Sequence, residues 1–299
     1  MTSMNILVSG TSGPIGGALV PALTAAGHRV TRLVRHPPAA ADEVEWGPEK
    51  PIAPDTVSGY DAVVHLSGEP IVGHWDQKKK QKIRDSRINS TRNLAQALAR
   101  AAHKPRVLIT ASAIGYYGSR GNEMLTENSE PGYNFLGMVT REWEGATQPA
   151  AEAGIRTVQT RIGIMLSMSG GALKQMVTPF RYGLGGIIGN GKQYWSWVAI
   201  EDVVGAVQHA LTHEGLSGPV NVVSPNPVTN IEFTRAIAQT VHRPALFPLP
   251  PFAVRLFFGQ MGEELLLASA RVLPTKLEAS GYKFRYPELK PALADILRG

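Results

Sequence analysis

The chain has 299 residues, 43% of them hydrophobic and only 18% charged, against about 25% charged in an average globular chain, which excludes intrinsic disorder. Its 31 glycines and 22 prolines stay under the level of a low-complexity chain and show no triplet or longer repeat, which excludes collagen and solenoids. Thirty Lys and Arg against 24 Asp and Glu leave a net charge of +6, and the one dense basic run, Lys78 to Arg87, has the spacing of a wet helix face rather than a nucleic-acid footprint.

In chain order, Asn5 to Ser9 is a short apolar run that stops at glycines, and Ile15, Leu19, Leu23 and Ala26 then follow helical spacing. Gly27 closes that helix, and His28 to Arg35 is a second β-rich run before Pro37-Pro38, so a βαβ unit fits within 35 residues. Further strands are expected at Ala62 to Leu66, Val107 to Ala111, Thr157 to Met165 and Val220 to Val223. Helices are expected at about 78–102, 135–153 and 201–213. Alternation of this kind implies α/β architecture, a doubly wound, mostly parallel Rossmann sheet covered on both faces.

The texture changes after Met165. Residues 166–198 carry the Gly-rich segment Gly183 to Gly191 and end in Trp195-Ser196-Trp197, and residues 225–299 read as mainly helical and punctuated by prolines. The expected organisation is a nucleotide-binding domain of residues 1–165 and 199–224 and a smaller, mainly helical substrate lobe of residues 166–198 and 225–299.

Gly10-Thr11-Ser12-Gly13-Pro14-Ile15-Gly16 follows the first strand and opens the first helix. A tight glycine turn there aims backbone N–H groups and the helix dipole at a pyrophosphate, so Gly10, Thr11, Gly13, Pro14, Ile15 and Gly16 are candidate dinucleotide contacts. NAD binders place a carboxylate at the end of the second strand for the ribose 2'-hydroxyl. None lies between Arg29 and Pro38; Arg32 and Arg35 stand there instead, and a guanidinium suits a 2'-phosphate. NADP(H) is the cofactor expected. Alternation puts the two arginines on opposite faces, with Arg35 nearer the strand's carboxyl edge.

With the glycine turn, the strand Asp61 to Gly68 (DAVVHLSG), Thr110 to Gly118 (TASAIGYYG) and Trp197 to Val207 (WVAIEDVVGAV), the chain resembles the extended short-chain dehydrogenase/reductase superfamily in its NAD(P)-dependent epimerase/dehydratase branch. HLSGEPI at His65 to Ile71, SRINSTRNL at Ser86 to Leu94, LGGIIGNGKQYWSWV and RVLPTKLEASGYKFRYPEL at Arg271 to Leu289 are similar to the "epimerase family" proteins with a small extra C-terminal domain. The resemblance implies NADP(H) along the carboxyl edges of the strands and substrate between the lobes. It also implies cofactor contacts at Leu66, Ser67 and Gly68, with Glu69 beside them, at Arg87 in the next helix, and at Met165 near the nicotinamide.

The superfamily's proton-transfer pair, Tyr in YxxxK, should fall at about 135–150, and it is absent: Tyr133 is followed four residues on by Gly137, and Phe135 by Val139. The literal Tyr286 to Lys290 contains Pro287 and falls in the small lobe's last helix, an accidental match. Ser112, Tyr116 and Tyr117 remain as catalytic candidates, with aromatic packing the other reading for the tyrosines, and Glu69 and Lys82 are the nearest groups that could replace the missing base. Trp195 and Trp197 are expected to wall the cleft, and Ala199 stands where many relatives carry His.

His209 and His213, four apart on a helix, lack a third ligand, so no metal is expected. The absence of cysteine removes thiolate metal sites, disulfides and a Cys nucleophile. With no signal-peptide pattern and no run of 18 apolar residues, the expectation is a cytoplasmic protein with no membrane or nucleic-acid partner. The function expected is hydride exchange on a small carbonyl or nucleotide-sugar-like substrate. The alternative is a regulatory protein that senses NADPH without turnover.

Overall fold

The computed structural model describes residues 3–298. Its strands are β1 Asn5–Ser9, β2 Arg29–Val34, β3 Glu43–Glu45, β4 Ala62–His65, β5 Val107–Ala113, β6 Met124–Leu125, β7 Arg156–Ile162, β8 Ile164–Leu166, β9 Tyr194–Trp195, β10 Trp197–Ala199, β11 Gly218–Val222, β12 Val228–Thr229 and β13 Arg271–Val272. Its α-helices are α1 Pro14–Ala25, α2 Gln77–Arg100, α3 Phe135–Gly145, α4 Gln148–Glu152, α5 Ala172–Arg181, α6 Ile200–Thr212, α7 Asn230–Thr240, α8 Pro251–Gly262, α9 Thr275–Ala279 and α10 Leu289–Arg298.

Seven strands form one all-parallel sheet in the order β3-β2-β1-β4-β5-β7-β11. The order reverses direction between β1 and β4, and in a doubly wound sheet that switch point opens the crevice where ligands bind. Strand alternation assigns the two covers. Ile6 and Val8 face α1 and α6 with Leu19, Leu23, Val203 and Val207. Leu7, Val63 and Leu108 face the other layer, with Leu94 and Leu98 of α2 and Ala150 of α4.

A second apolar core joins the two separated segments after β7. Leu173, Val177 and Phe180 of α5 pack with Phe233 and Ile237 of α7 and with Leu289 and Leu293 of α10. Short ladders β8-β10, β9-β12 and β6-β13 tie this part of the chain to the sheet's carboxyl edge.

Three boundaries differ from the sequence expectation. The apolar run Thr157 to Met165 is not one strand but β7 and β8, in different sheets. A Cβ at Gly163, the residue between them, would lie 2.6 Å from the Ser196 carbonyl oxygen, so only glycine admits the crossing segment. The helix expected over 135–153 is two, α3 and α4, with Pro149 at the start of the second. Tyr286 lies ahead of α10, not inside it, and its hydroxyl donates to Asp295.

His65 at the end of β4 is fully buried, with Nδ1 against Ser9 Oγ at 2.7 Å and Nε2 against Ser90 Oγ at 3.1 Å. Burial alone pushes its pKa down to about 4. The unfolded chain therefore binds the proton first. This residue's contribution is full above pH 6.5 and is lost as pH falls toward 4. His65→Asn should flatten the fall in unfolding free energy between pH 6.5 and 4 by up to about 3 kcal/mol, read from urea titrations of both proteins.

Candidate functional site

The turn between β1 and α1 is built on steric necessity. Gly10 has φ +75°, and a Cβ there would sit 2.7 Å from the Leu66 carbonyl carbon; one at Gly16 would sit 2.4 Å from Gly10 O. These two glycines let β1, β4 and α1 approach. Gly13, the N-cap of α1, differs: an added Cβ would meet only Gly10 O, at 3.4 Å. No side chain caps this helix, and its first residue is Pro14, so the early N–H groups face outward without a side-chain acceptor. A cradle that a Cβ would fill, at an uncapped helix N-terminus, fits a pyrophosphate. Thr11 lies within this turn, and Pro14 is met by the segment after β8, where a Cβ on Gly170 would come 2.6 Å from its ring.

A cavity of about 350 Å³ opens beside the turn. The carboxyl ends of β4 and β5 line it through Leu66, Ser67, Gly68 and Ser112, β8 lines it through Met165, and Ile15 and Arg87 reach it from α1 and α2. Seven of the expected site residues thus share one space. Arg87 Nη1 donates to the carbonyls of Glu69 and Ile83 at 2.9 and 3.1 Å, and its guanidinium lies over Trp143. Desolvation lowers its pKa to about 10, so it remains a cation at neutral pH. The Asp85 that could have paired with it takes Arg84 instead.

Other candidates lie elsewhere. Arg32 is held by Asp42 in a two-pronged pair at 2.7 and 2.9 Å and by Glu43 at 3.2 Å, both on the approach to and within β3, a strand the sequence reading did not anticipate. Arg35 is exposed just past β2 and has no ion pair among the described residues. Glu69 does not line the cavity; Lys79 Nζ donates to its carboxylate at 2.8 Å and holds its pKa below the usual range. Lys82 is on the exposed side of α2.

The two tyrosines are not brought to the cavity. Tyr117 is wholly buried, donates to Asn221 Oδ1 at 2.7 Å and accepts from Arg161 Nη1 at 2.9 Å. Burial raises its pKa to about 12. The carbon of the same guanidinium lies over the Tyr116 ring, 3.4 Å from its centroid. Ser112 does face the cavity, and its hydroxyl donates to Glu144 Oε1 at 2.6 Å.

The residue that organises this wall was not anticipated from the sequence. Arg161, 1% exposed, stands on β7 with Ser112 of β5 and Asn221 of β11 as its lateral neighbours. Its Nε and Nη2 grip both oxygens of Glu144 at 2.8 Å. An arginine one residue from the end of a central parallel strand, with EWE at 142–144 in the helical stretch that precedes it, was the available signal.

Glu264, from the turn after α8, was also not anticipated. Its carboxylate reaches the cavity and accepts from Asn134 Nδ2, Phe135 N and Leu136 N at 2.7 to 3.2 Å, capping α3 from across the cleft. Phe135 packs on Trp75, and Val139 lines the cavity.

Residues 6–223 match the model of the NAD dependent epimerase/dehydratase family. The chain is a member of that family. Residues 249–296 match a second model, a domain of unknown function, DUF1731. Among relatives, epimerase family protein Mb2239 of Mycobacterium bovis is 43% identical over 295 residues, covering 98% of this chain and 97% of its own. The human epimerase family protein SDR39U1 is 34% identical over 298 residues, covering 98% and 100%. A crystal structure of that human protein with NADPH superposes with a TM-score of 0.91 at 32% identity, covering 99% of each chain. A nucleoside-diphosphate sugar epimerase from Corynebacterium glutamicum superposes at 0.83 with 37% identity over 99% of this chain and 58% of its own.

In this member of the epimerase/dehydratase family, the pair Arg161–Glu144 should be costly to break singly. Arg161→Met leaves Glu144 as a nearly buried carboxylate without its cation. Unfolding free energy should fall by about 3–5 kcal/mol in urea melts, and adding Glu144→Leu should recover a large part of that loss.

Proposed function

We propose that the chain is an NADP(H)-binding, epimerase-like oxidoreductase that exchanges hydride with a small carbonyl or nucleotide-sugar-like substrate at an active site without YxxxK. The observation that carries this reading is the shared space: the glycine turn at the head of α1 opens beside the cavity that Leu66 to Gly68, Arg87, Ser112 and Met165 line. The family match and the human relative crystallised with NADPH support it.

When bound, the nicotinamide supplies or accepts the hydride. Gly13 leaves room for the pyrophosphate, with the N–H groups of α1 as donors. Arg35 is the cation for a 2'-phosphate, because Asp42 and Glu43 already neutralise Arg32. Ser112, with its proton committed to Glu144, presents lone pairs to the cavity and so accepts from a substrate hydroxyl rather than polarising a carbonyl.

One observation favours the second reading, an NADPH sensor without turnover. The acids and bases near the cavity are already engaged: Glu264 by α3, Glu144 by Arg161, Glu69 by Lys79, and Tyr117 inside the wall. Such a site binds better than it moves protons.

NADPH should bind at least about tenfold tighter than NADH, roughly 1.4 kcal/mol, and Arg35→Ala should remove most of that preference while Arg32→Ala does not. Equal affinities in the unmodified protein, by calorimetry, contradict the cofactor assignment. Gly13→Val should keep the fold by circular dichroism and lose NADPH binding, since a branched side chain there meets the ligand and not the protein.

The chemistry is tested by NADPH oxidation across sugar nucleotides, quinones and small aldehydes. Turnover near 1 s⁻¹ eliminates the sensor. With turnover in hand, Ser112→Ala should lower kcat by about 10²-fold, whereas Tyr116→Phe should leave it close to the unmodified rate. No turnover on any of them, together with NADPH-dependent protection of residues 166–198 in hydrogen exchange, supports the sensor.

A further inference from the structure

The largest departure from an ordinary soluble surface lies away from the cavity wall. Tyr182 and Leu184 after α5, Leu246 and Phe247 before α8, and Phe252, Leu256 and Phe257 on α8 are 57 to 78% exposed. The segments that carry them are neighbours: Phe247 N donates to Gly185 O and Leu249 N to Ile187 O, and α8 follows directly from Pro251. On α8, Phe252 and Leu256 lie one turn apart, on the side turned away from the buried Ala253 and Val254. At the 150–250 Å² that an aromatic side chain can bury, the group displays on the order of 1,000 Å², beyond the few hundred of an ordinary monomer surface.

Charge decides what covers it. Residues 153–200 and 233–262 contain no Asp or Glu. Their exposed cations are Lys174, Arg181, Lys192, Arg235, Arg243 and Arg255, of which, among the described residues, only Arg255 has a carboxylate within salt-bridge distance, Glu263 at 2.7 Å. Arg181, Arg243 and Arg255 lie in the same segments as the exposed apolar side chains, and a second copy of the chain would bring like charges together. An anionic surface would neutralise them and accept the aromatic and leucine side chains together.

We propose that this face is a peripheral docking site for an anionic lipid bilayer, with α8 lying in the plane of the headgroups. Hydropathy over the sequence is blind to it, because the patch is assembled from two segments some 60 residues apart. Among the described residues no helix is long and apolar enough to cross a membrane, so docking is to the surface.

The test is flotation of the full chain with vesicles of phosphatidylcholine alone and of phosphatidylcholine mixed with phosphatidylglycerol. Binding to the mixed vesicles only, weakened by salt, is expected. Phe252→Ser with Leu256→Ser should lower the partition coefficient tenfold or more, as should Arg181→Glu with Arg243→Glu, with the melting temperature unchanged because all four side chains are exposed. Absence of binding to the mixed vesicles overturns the proposal, as does equal binding to neutral ones. A dimer in analytical ultracentrifugation that the Phe252 and Leu256 substitutions disperse overturns it in favour of a second copy.

Discussion

A single guanidinium holds the wall of the cleft in register. Burial alone would push the pKa of Arg161 down, but the bidentate Glu144 carboxylate outweighs it and the net shift is upward, so the charge is fixed at any pH the fold survives. From β7 it links α3 through Glu144, the turn after β5 through both tyrosine rings, and β11 through Tyr117 and Asn221. Glu127 extends the network: it accepts from Asn221 N and Lys276 N and so joins the sheet's edge strand to α9. Ser112, Arg161 and Asn221, side by side on three adjacent strands, are thereby paired inside protein.

The same arrangement explains why the tyrosines that sequence reading offers as acids serve as structure. A phenol can donate to a substrate only if its hydroxyl reaches open space, and the Tyr117 hydroxyl lies between Asn221 and Arg161, while the Tyr116 ring covers the same guanidinium. Ser112 survives as a cavity group because it is the lateral neighbour of Arg161 and shares its carboxylate. The C-terminal region contributes from the other side: Glu264 caps α3, the helix that brings Leu136 and Val139 to the cavity.

The Rossmann half was legible because its signals are local. Glycines at 10, 13 and 16 after an apolar run, with a helical period behind them, specify strand, turn and helix, and the alternating strands that follow leave few topologies. What stayed hidden was non-local. The separation of β7 from β8 depends on how close Ser196 comes to Gly163, and the neutralisation of Arg32 depends on a three-residue strand too short to stand out. That Leu66 to Gly68, Arg87 and Met165 share one cavity was reachable from resemblance. Glu144, Arg161 and Glu264 were not, since each acquires its meaning from a partner 17 or more residues away.

Gly163 also has a mechanical consequence. One residue separates a strand of the nucleotide-binding sheet from a strand of the ladder that leads into the second core, and both flanks are pinned, Gly163 N to Val222 O and Ile164 N to Ser196 O. A joint with two soft torsions clamped on either side transmits displacement instead of absorbing it. Gly163 and Ser196 both line the cavity, so a shift of the segment that crosses at Gly163 would be felt at the cavity wall.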